Sequence, residues 1–112
     1  MNAERKRDLY LQRTYGITLE QYGILLGHKD GGCWICGKVP KEGQKPLHVE
    51  HDHKTGQIRG LACWHCNTLL QKGRDNPDIL ASAADYLRRQ DIVNILLGRT
   101  DAAEESDHPD RR

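Results

Sequence analysis

The chain has 112 residues, of which 37% are hydrophobic and none is phenylalanine, so it is long enough for one domain with a thin core. No apolar run approaches the roughly 18 residues that cross a bilayer. The charged N-terminus has no apolar segment behind it, so we expect neither a membrane span nor a signal peptide. Residues 1–74 carry twelve Lys or Arg and seven Asp or Glu, whereas residues 75–112 carry five and nine, and the basic part suits a polyanionic partner.

Two helices are predicted at the start of the chain. Residues 2–14 are charged and have helical propensity, and Gly16 ends that helix. The second helix opens with a capping box, in which Thr18 is the N-cap and Gln21 occupies the third helical position. Gly27 is its predicted stop. Its apolar face consists of Leu19, Tyr22, Leu25 and Leu26.

A hairpin and a helix are predicted in the middle of the chain. Residues 38–46 contain two prolines and a glycine and indicate a loop. Residues 47–51 and 57–61 indicate two short strands, which a turn at 54–56 connects. Residues 63–70 then follow a helical pattern, which a glycine ends.

Further helical structure is predicted near the C-terminus. Asn76 and Pro77 are typical of a helix start, and the pattern continues or restarts through residues 92–96. We expect residues 1–98 to form a single domain and residues 99–112 to be an acidic, disordered tail. The predicted buried face of the helix consists of Ile79, Leu80, Ala83, Ala84 and Leu87.

Two Cys-x-x-Cys pairs are the strongest motif of the chain. Cys33 and Cys36 form the first pair, and Cys63 and Cys66 form the second. Four thiolates at such spacing are typical of a tetrahedral zinc site, and a core this thin benefits from a structural metal. Two disulfides are the alternative, but without a signal peptide we expect a reducing compartment, which favours zinc.

A polar, titratable cluster lies between the two pairs. Glu50, His51, Asp52 and His53 follow one another on the segment that the zinc would clamp, and Asn67 comes directly after the last cysteine. Asn67 would sit on the helix about 100° of rotation away from Cys66, where it could face the strand. A rigid clamp around such a cluster is typical of a pre-organised reactive site.

Residues 33–37, 49–61 and 63–67 carry a resemblance to a known family. They read Cys-Trp-Ile-Cys-Gly, Val-Glu-His-Asp-His-Lys-Thr-Gly-Gln-Ile-Arg-Gly-Leu and Cys-Trp-His-Cys-Asn. These segments resemble the phage recombination endonuclease VII family, a branch of the HNH nucleases, and the likeness covers roughly residues 8–90. It implies an α+β fold with a small ββα-metal (His-Me finger) nuclease core and a four-cysteine zinc site, flanked by N- and C-terminal helices.

The resemblance also implies roles for single residues. His51 would be the general base, and Glu50 and Asn67 would bind one catalytic Mg²⁺ or Mn²⁺. His53 would assist at the phosphate or the leaving group, and the four cysteines would bind one structural Zn²⁺. The family commonly has Asp at the position of Glu50, which is one methylene longer and would shift the cation. Residues close enough in sequence to hold flanking phosphates are Lys54, Arg59, Lys72 and Arg74.

These roles imply a metal-dependent endonuclease that hydrolyses phosphodiester bonds of double-stranded or branched DNA. It would act as a monomer or homodimer inside the cell, as a phage or prophage product in a bacterial host. Two alternatives are a catalytically silent, zinc-dependent DNA-binding module and a zinc-stapled protein–protein adaptor.

Ordinary structural roles are alternatives to the catalytic ones at several positions. Glu50 could be a solvated strand acid, and Asn67 could be a capping amide. We expect Trp34 and Trp64 to pack around the zinc site rather than stack on bases.

Overall fold

The computed structural model describes residues 2–89 and 91–99, and the chain divides into two compact units between Asp75 and Asn76. The elements of the first unit are α1 (Ala3–Tyr15), α2 (Leu19–His28), β1 (His48–His51), β2 (Ile58–Ala62) and α3 (Trp64–Lys72). The second unit contains α4 (Pro77–Arg88) and α5 (Ile92–Leu96). The predicted mixture of helices and a small two-stranded sheet is therefore confirmed, whereas a single domain over residues 1–98 remains a prediction. Residues 100–112 of the expected tail lie outside the described residues.

No helix among the described residues is long and apolar enough to cross a membrane.

The first two helices begin where local side chains cap them. Asn2 accepts a hydrogen bond from the Arg5 amide at 2.8 Å and starts α1. At α2 both bonds of the predicted capping box form, since Thr18 Oγ1 accepts from the Gln21 amide and Gln21 Oε1 accepts from the Thr18 amide. This helix runs one residue past the predicted stop at Gly27 and ends at His28.

The two strands form an antiparallel hairpin with an irregular register. Val49 lies opposite Leu61, and Glu50 lies opposite Gly60. The next pair is His51 with Ile58, so the register skips Arg59 and leaves a β-bulge beside Glu50. The strands begin one residue later than predicted, and β2 extends one residue further.

The core of the first unit joins α1, α2, the hairpin and the cysteine cluster. The Tyr22 hydroxyl donates to the Leu47 carbonyl at 2.8 Å and so fastens α2 to the start of the hairpin. Leu11 of α1 is fully buried, although its sequence context did not distinguish it. The buried residues are Leu11, Tyr22, Cys33, Leu47, Val49, Leu61, Ala62 and Cys66.

The predicted buried face of α4 is wrong. Asn76 caps this helix and Pro77 starts it, as expected, but none of its residues is buried, and Leu87 is 66% exposed. A helical spacing of apolar residues indicates a surface that can be buried, but burial also needs a partner surface.

Gly60 lies under the Trp34 ring, which allows a stability prediction. A Cβ atom at Gly60 would lie 2.4 Å from Trp34 Cε3. The indole cannot easily retreat, because its Nε1 donates to the Leu25 carbonyl at 3.2 Å and the Trp34 amide donates to the Leu61 carbonyl at 2.9 Å. We therefore expect Gly60→Ala to lower the free energy of unfolding by about 1–3 kcal/mol in urea denaturation.

A matched control is Gly23→Ala in α2, where a new Cβ meets no atom within 4 Å. This change should leave stability unchanged or raise it, because alanine has the better helix propensity. A Gly60→Ala protein as stable as the wild type would contradict the packing described for Trp34.

Candidate metal and catalytic site

The four cysteines meet in one cluster, as predicted. Cys33 and Cys36 lie in the turn that follows α2, Cys63 is the N-cap of α3, and Cys66 lies in its first turn. All four are free, and their sulfur atoms lie within 4.8 Å of one another. A zinc tetrahedron with Zn–S bonds of about 2.3 Å requires sulfur separations of about 3.8 Å. The Cys36 and Cys63 sulfurs are 3.8 Å apart, so the cluster fits one zinc ion.

Backbone amides surround the sulfur atoms. The amides of Ile35 and Cys63 each donate to Cys33 Sγ at 3.4 Å. Burial opposes ionisation of Cys33, but hydrogen bonds from the Cys36, Cys63 and Ile35 amides and from the Cys36 side chain outweigh it and lower the pKa of that thiol to about 6. Burial and the neighbouring thiols raise the pKa of Cys66. A divalent cation would compensate the charge of all four thiolates, which is the usual coupling between zinc binding and folding.

Glu50 is a buried carboxylate that Arg59 holds with two hydrogen bonds. Glu50 is only 7% exposed, so the alternative that it is a solvated acid on the strand is wrong. Arg59 Nε donates to Oε1 at 2.9 Å, and Arg59 Nη2 donates to Oε2 at 2.5 Å. The bulge explains this pairing, because the skipped Arg59 is freed from the ladder beside its carboxylate partner.

Arg59 also reaches the turn that follows α3. Its Nη2 lies 3.3 Å from Asp75 Oδ1. The pKa of Arg59 lies above its ordinary value, mainly because of the hydrogen bonds to Glu50. The guanidinium is thus shared by two carboxylates, and its predicted contact with a substrate phosphate would compete with them. The other phosphate candidates are not buried and take part in none of the described ion pairs: Lys54, Lys72 and Arg74.

His51 is half-buried at the end of β1, between two other rings. Its ring centroid lies 5.7 Å from that of Tyr15 and 4.8 Å from that of His53. His51 Nδ1 is 3.4 Å from the Val49 carbonyl oxygen. In the tautomer that carries its proton on Nδ1, this contact leaves the Nε2 lone pair free to accept a proton.

The Asp52 side chain stabilises the turn between the strands, and its described hydrogen bonds do not reach the other residues of the polar cluster. Its carboxylate accepts from the Lys54 and Thr55 amides, which lowers the pKa of Asp52. His53 lies next to this turn and is exposed.

Asn67 lies one turn into α3 and is half-buried. Its amide donates to the Cys63 carbonyl at 2.9 Å, as in a regular helix. Cys63 is the N-cap, so Asn67 does not cap this helix. Among the described residues no hydrogen bond uses its carboxamide, whose oxygen is therefore free to bind a ligand.

The two tryptophans behave differently. Trp34 packs on Gly60 and is half-buried beside the cysteine cluster, as expected. Trp64 is 62% exposed, so its expected packing around the zinc site is wrong. It occupies the first position of α3, where the spacing to the cysteines does not determine which way the side chain points.

The hairpin with Glu50 and His51, together with a helix that begins in a four-cysteine cluster, defines a small α+β structure whose cysteines could hold one metal ion. Residues 8–89 match the sequence model of recombination endonuclease VII, and the chain therefore belongs to that family.

Two phage proteins are similar over 84 residues, which make up 74% of this chain. They are the gene 59 proteins of Mycobacterium phage D29, at 43% identity, and of Mycobacterium phage L5, at 38% identity. The matched region is 50% of the first and 51% of the second, so the chain spans about half the length of these relatives. No solved structure matches it.

Proposed function

We propose that this protein is a metal-dependent DNA endonuclease of the HNH type, in which β1, β2 and α3 form the ββα-metal core. The observation that carries the proposal is the family match, because residues 8–89 contain every residue of the candidate site. Hydrolysis of a phosphodiester needs a base for the attacking water, charge compensation at the phosphoryl oxygens and help for the leaving oxygen.

His51 is the proposed general base. Its Nδ1 lies near the Val49 carbonyl, which favours the tautomer with a free lone pair on Nε2. A neutral imidazole is well suited to accept a proton from water near neutral pH. His53, whose ring centroid is 4.8 Å away, is close enough to assist at the phosphate or the leaving group.

Glu50 and Asn67 are the proposed ligands of one Mg²⁺ or Mn²⁺. Carboxylate and amide oxygens are the hard donors that these ions prefer. Each oxygen of Glu50 accepts one bond from Arg59, and a carboxylate oxygen has a second lone pair for a cation. Arg59 would then fix the orientation of the ligand. A bound cation would supply charge compensation at the phosphoryl group.

The proposed substrate is double-stranded or branched DNA. Lys54, Lys72 and Arg74 would contact flanking phosphates without regard to sequence, with Arg59 as a further candidate. The proposal includes one structural zinc, assembly as a monomer or homodimer, and a phage or prophage product that acts inside a bacterial host.

One observation favours a second candidate, a catalytically silent DNA-binding module that needs only the zinc. Both oxygens of Glu50 are already engaged by Arg59, and a carboxylate satisfied in this way is stable without a cation. The two candidates differ in whether Glu50 and a second metal are needed.

A plasmid-nicking assay with titrated Mg²⁺ and Mn²⁺ distinguishes them. We expect Glu50→Ala and the isosteric Glu50→Gln to lose nicking at every cation concentration, because each removes the only carboxylate of the proposed site. Glu50→Asp, with the acid that the family commonly uses, should retain activity. Mn²⁺ should rescue weak variants better than Mg²⁺, because Mg²⁺ demands near-ideal octahedral geometry.

Glu20→Gln is the matched control, since it removes one exposed carboxylate from the first turn of α2 and should nick like the wild type. Full wild-type nicking in EDTA, or nicking by Glu50→Gln at the wild-type rate, would remove Glu50 from the reaction. If the wild type and all the variants bind DNA but none of them nicks it, the silent DNA-binding module is the candidate that stands.

A further inference from the structure

A cavity of about 410 Å³ lies between the loop before β1 and the start of α3, next to the cysteine cluster. Its size is within the range of small-ligand sites, which is roughly 300–1,000 Å³. Pro40, Pro46, Leu47 and the indole of Trp64 supply apolar surface, and Lys38 and Lys45 supply positive charge. No aspartate or glutamate is among the described residues that line it.

The cavity therefore combines an exposed aromatic face with cations that no carboxylate neutralises within the described part of the chain. Trp64 is 62% exposed, and its ring meets that of His65 edge-on at 5.2 Å between centroids. Neither Lys38 nor Lys45 belongs to an ion pair of the described residues. A flat ring beside such ammonium groups matches the chemistry of a nucleotide, which has a π-face and a phosphate.

A second cavity, of about 280 Å³, lies against α1 and the segment that leads into β1. The two share the wall formed by residues 45–48. The second is lined by Arg7, Tyr10 and Tyr15, again without an acidic residue among its described lining. The Tyr15 ring lies 5.7 Å from that of His51, so the second cavity borders the candidate site.

We propose that the first cavity is a nucleotide-binding subsite, in which Trp64 stacks on an unpaired base and Lys38 and Lys45 bind the adjoining phosphates. The inference rests on the proposed function, since it specifies the DNA that the site prefers. A base inside a regular duplex is stacked on its neighbours and does not reach the cavity. An unpaired nucleotide reaches it without the cost of breaking a pair.

Fluorescence anisotropy tests the subsite in the whole 112-residue chain loaded with zinc. The probes are a duplex with one extra unpaired nucleotide and the same duplex without it, and His51→Ala is the parent so that cleavage is slow during the measurement. We expect the parent to bind the first probe about tenfold more tightly, which is the usual order for stacking of one base on an aromatic ring. Adding Trp64→Ala should abolish this preference, Trp64→Phe should keep most of it, and duplex affinity should change less than about twofold.

The lysines have their own readout. For binding to a short single-stranded oligonucleotide, we measure how the logarithm of the association constant falls with the logarithm of the salt concentration. The double variant Lys38→Ala/Lys45→Ala should make this slope less steep by about 1.4, because each lost phosphate contact contributes about 0.7. Lys6→Ala/Lys29→Ala removes the same charge from exposed positions that line neither cavity, and it should leave the slope unchanged.

The outcomes separate the subsite from the nuclease. A preference that survives Trp64→Ala, or a parent that binds both probes equally, overturns the subsite even if the wild type nicks DNA. The second of these results would also be expected if the cavity held a peptide. A Trp64-dependent preference supports the subsite even if the wild type nicks no DNA, and in that case only the proposed function fails.

Discussion

Replacing Cys33 with serine should release zinc and unfold the first unit. Structural zinc contributes on the order of 10 kcal/mol to the folding of small modules, which exceeds the whole stability of most small domains. Cys33 is also 1% exposed in the core, so the change leaves a poorer zinc ligand and a smaller atom where the sulfur packed. Circular dichroism and metal analysis of the purified variant are the measurements.

Cys36→Ser is the informative comparison, because Cys36 is an exposed member of the same cluster. It removes one ligand without placing a hydroxyl in the core, so it should weaken zinc binding but leave more residual structure than Cys33→Ser. Wild-type protein that is reduced, folded and free of zinc would refute the structural role of the metal.

Replacing His51 with alanine should reduce DNA cleavage by roughly 10²–10⁴, the usual contribution of a general base, and leave the fold and the zinc in place. The ring is half-buried at the end of β1 and is not part of the core cluster, so its removal should cost little stability. The measurement is the nicking rate at saturating DNA and Mg²⁺. DNA affinity, measured separately, should stay near the wild-type value.

His28→Ala provides the matched control, since His28 is exposed, its ring lies against Trp34, and it lies outside the candidate site. It should nick at nearly the wild-type rate, whereas His53→Ala should lie between the two if His53 only assists. Near-normal nicking by folded His51→Ala would assign the proton transfer to another group.

Much of the local structure could be predicted because its causes lie within a few residues. The capping box of Thr18 and Gln21 and the Asn76–Pro77 helix start both form as predicted. The two strands are displaced by only a single residue at their ends. The roles of Glu50, His51, Asn67 and the phosphate candidates come from the family resemblance, and they remain predictions.

What the sequence determined by itself was the gathering of the four cysteines, because the spacing of two Cys-x-x-Cys pairs restricts them to one site. The tertiary structure alone decided that Glu50 is buried against Arg59, since that contact depends on a bulge in the pairing of two strands. It likewise decided that Trp64 borders a cavity and that no residue of α4 is buried. Sequence periodicity identifies surfaces that can pack, but the burial of a surface depends on which distant segments the fold places against it.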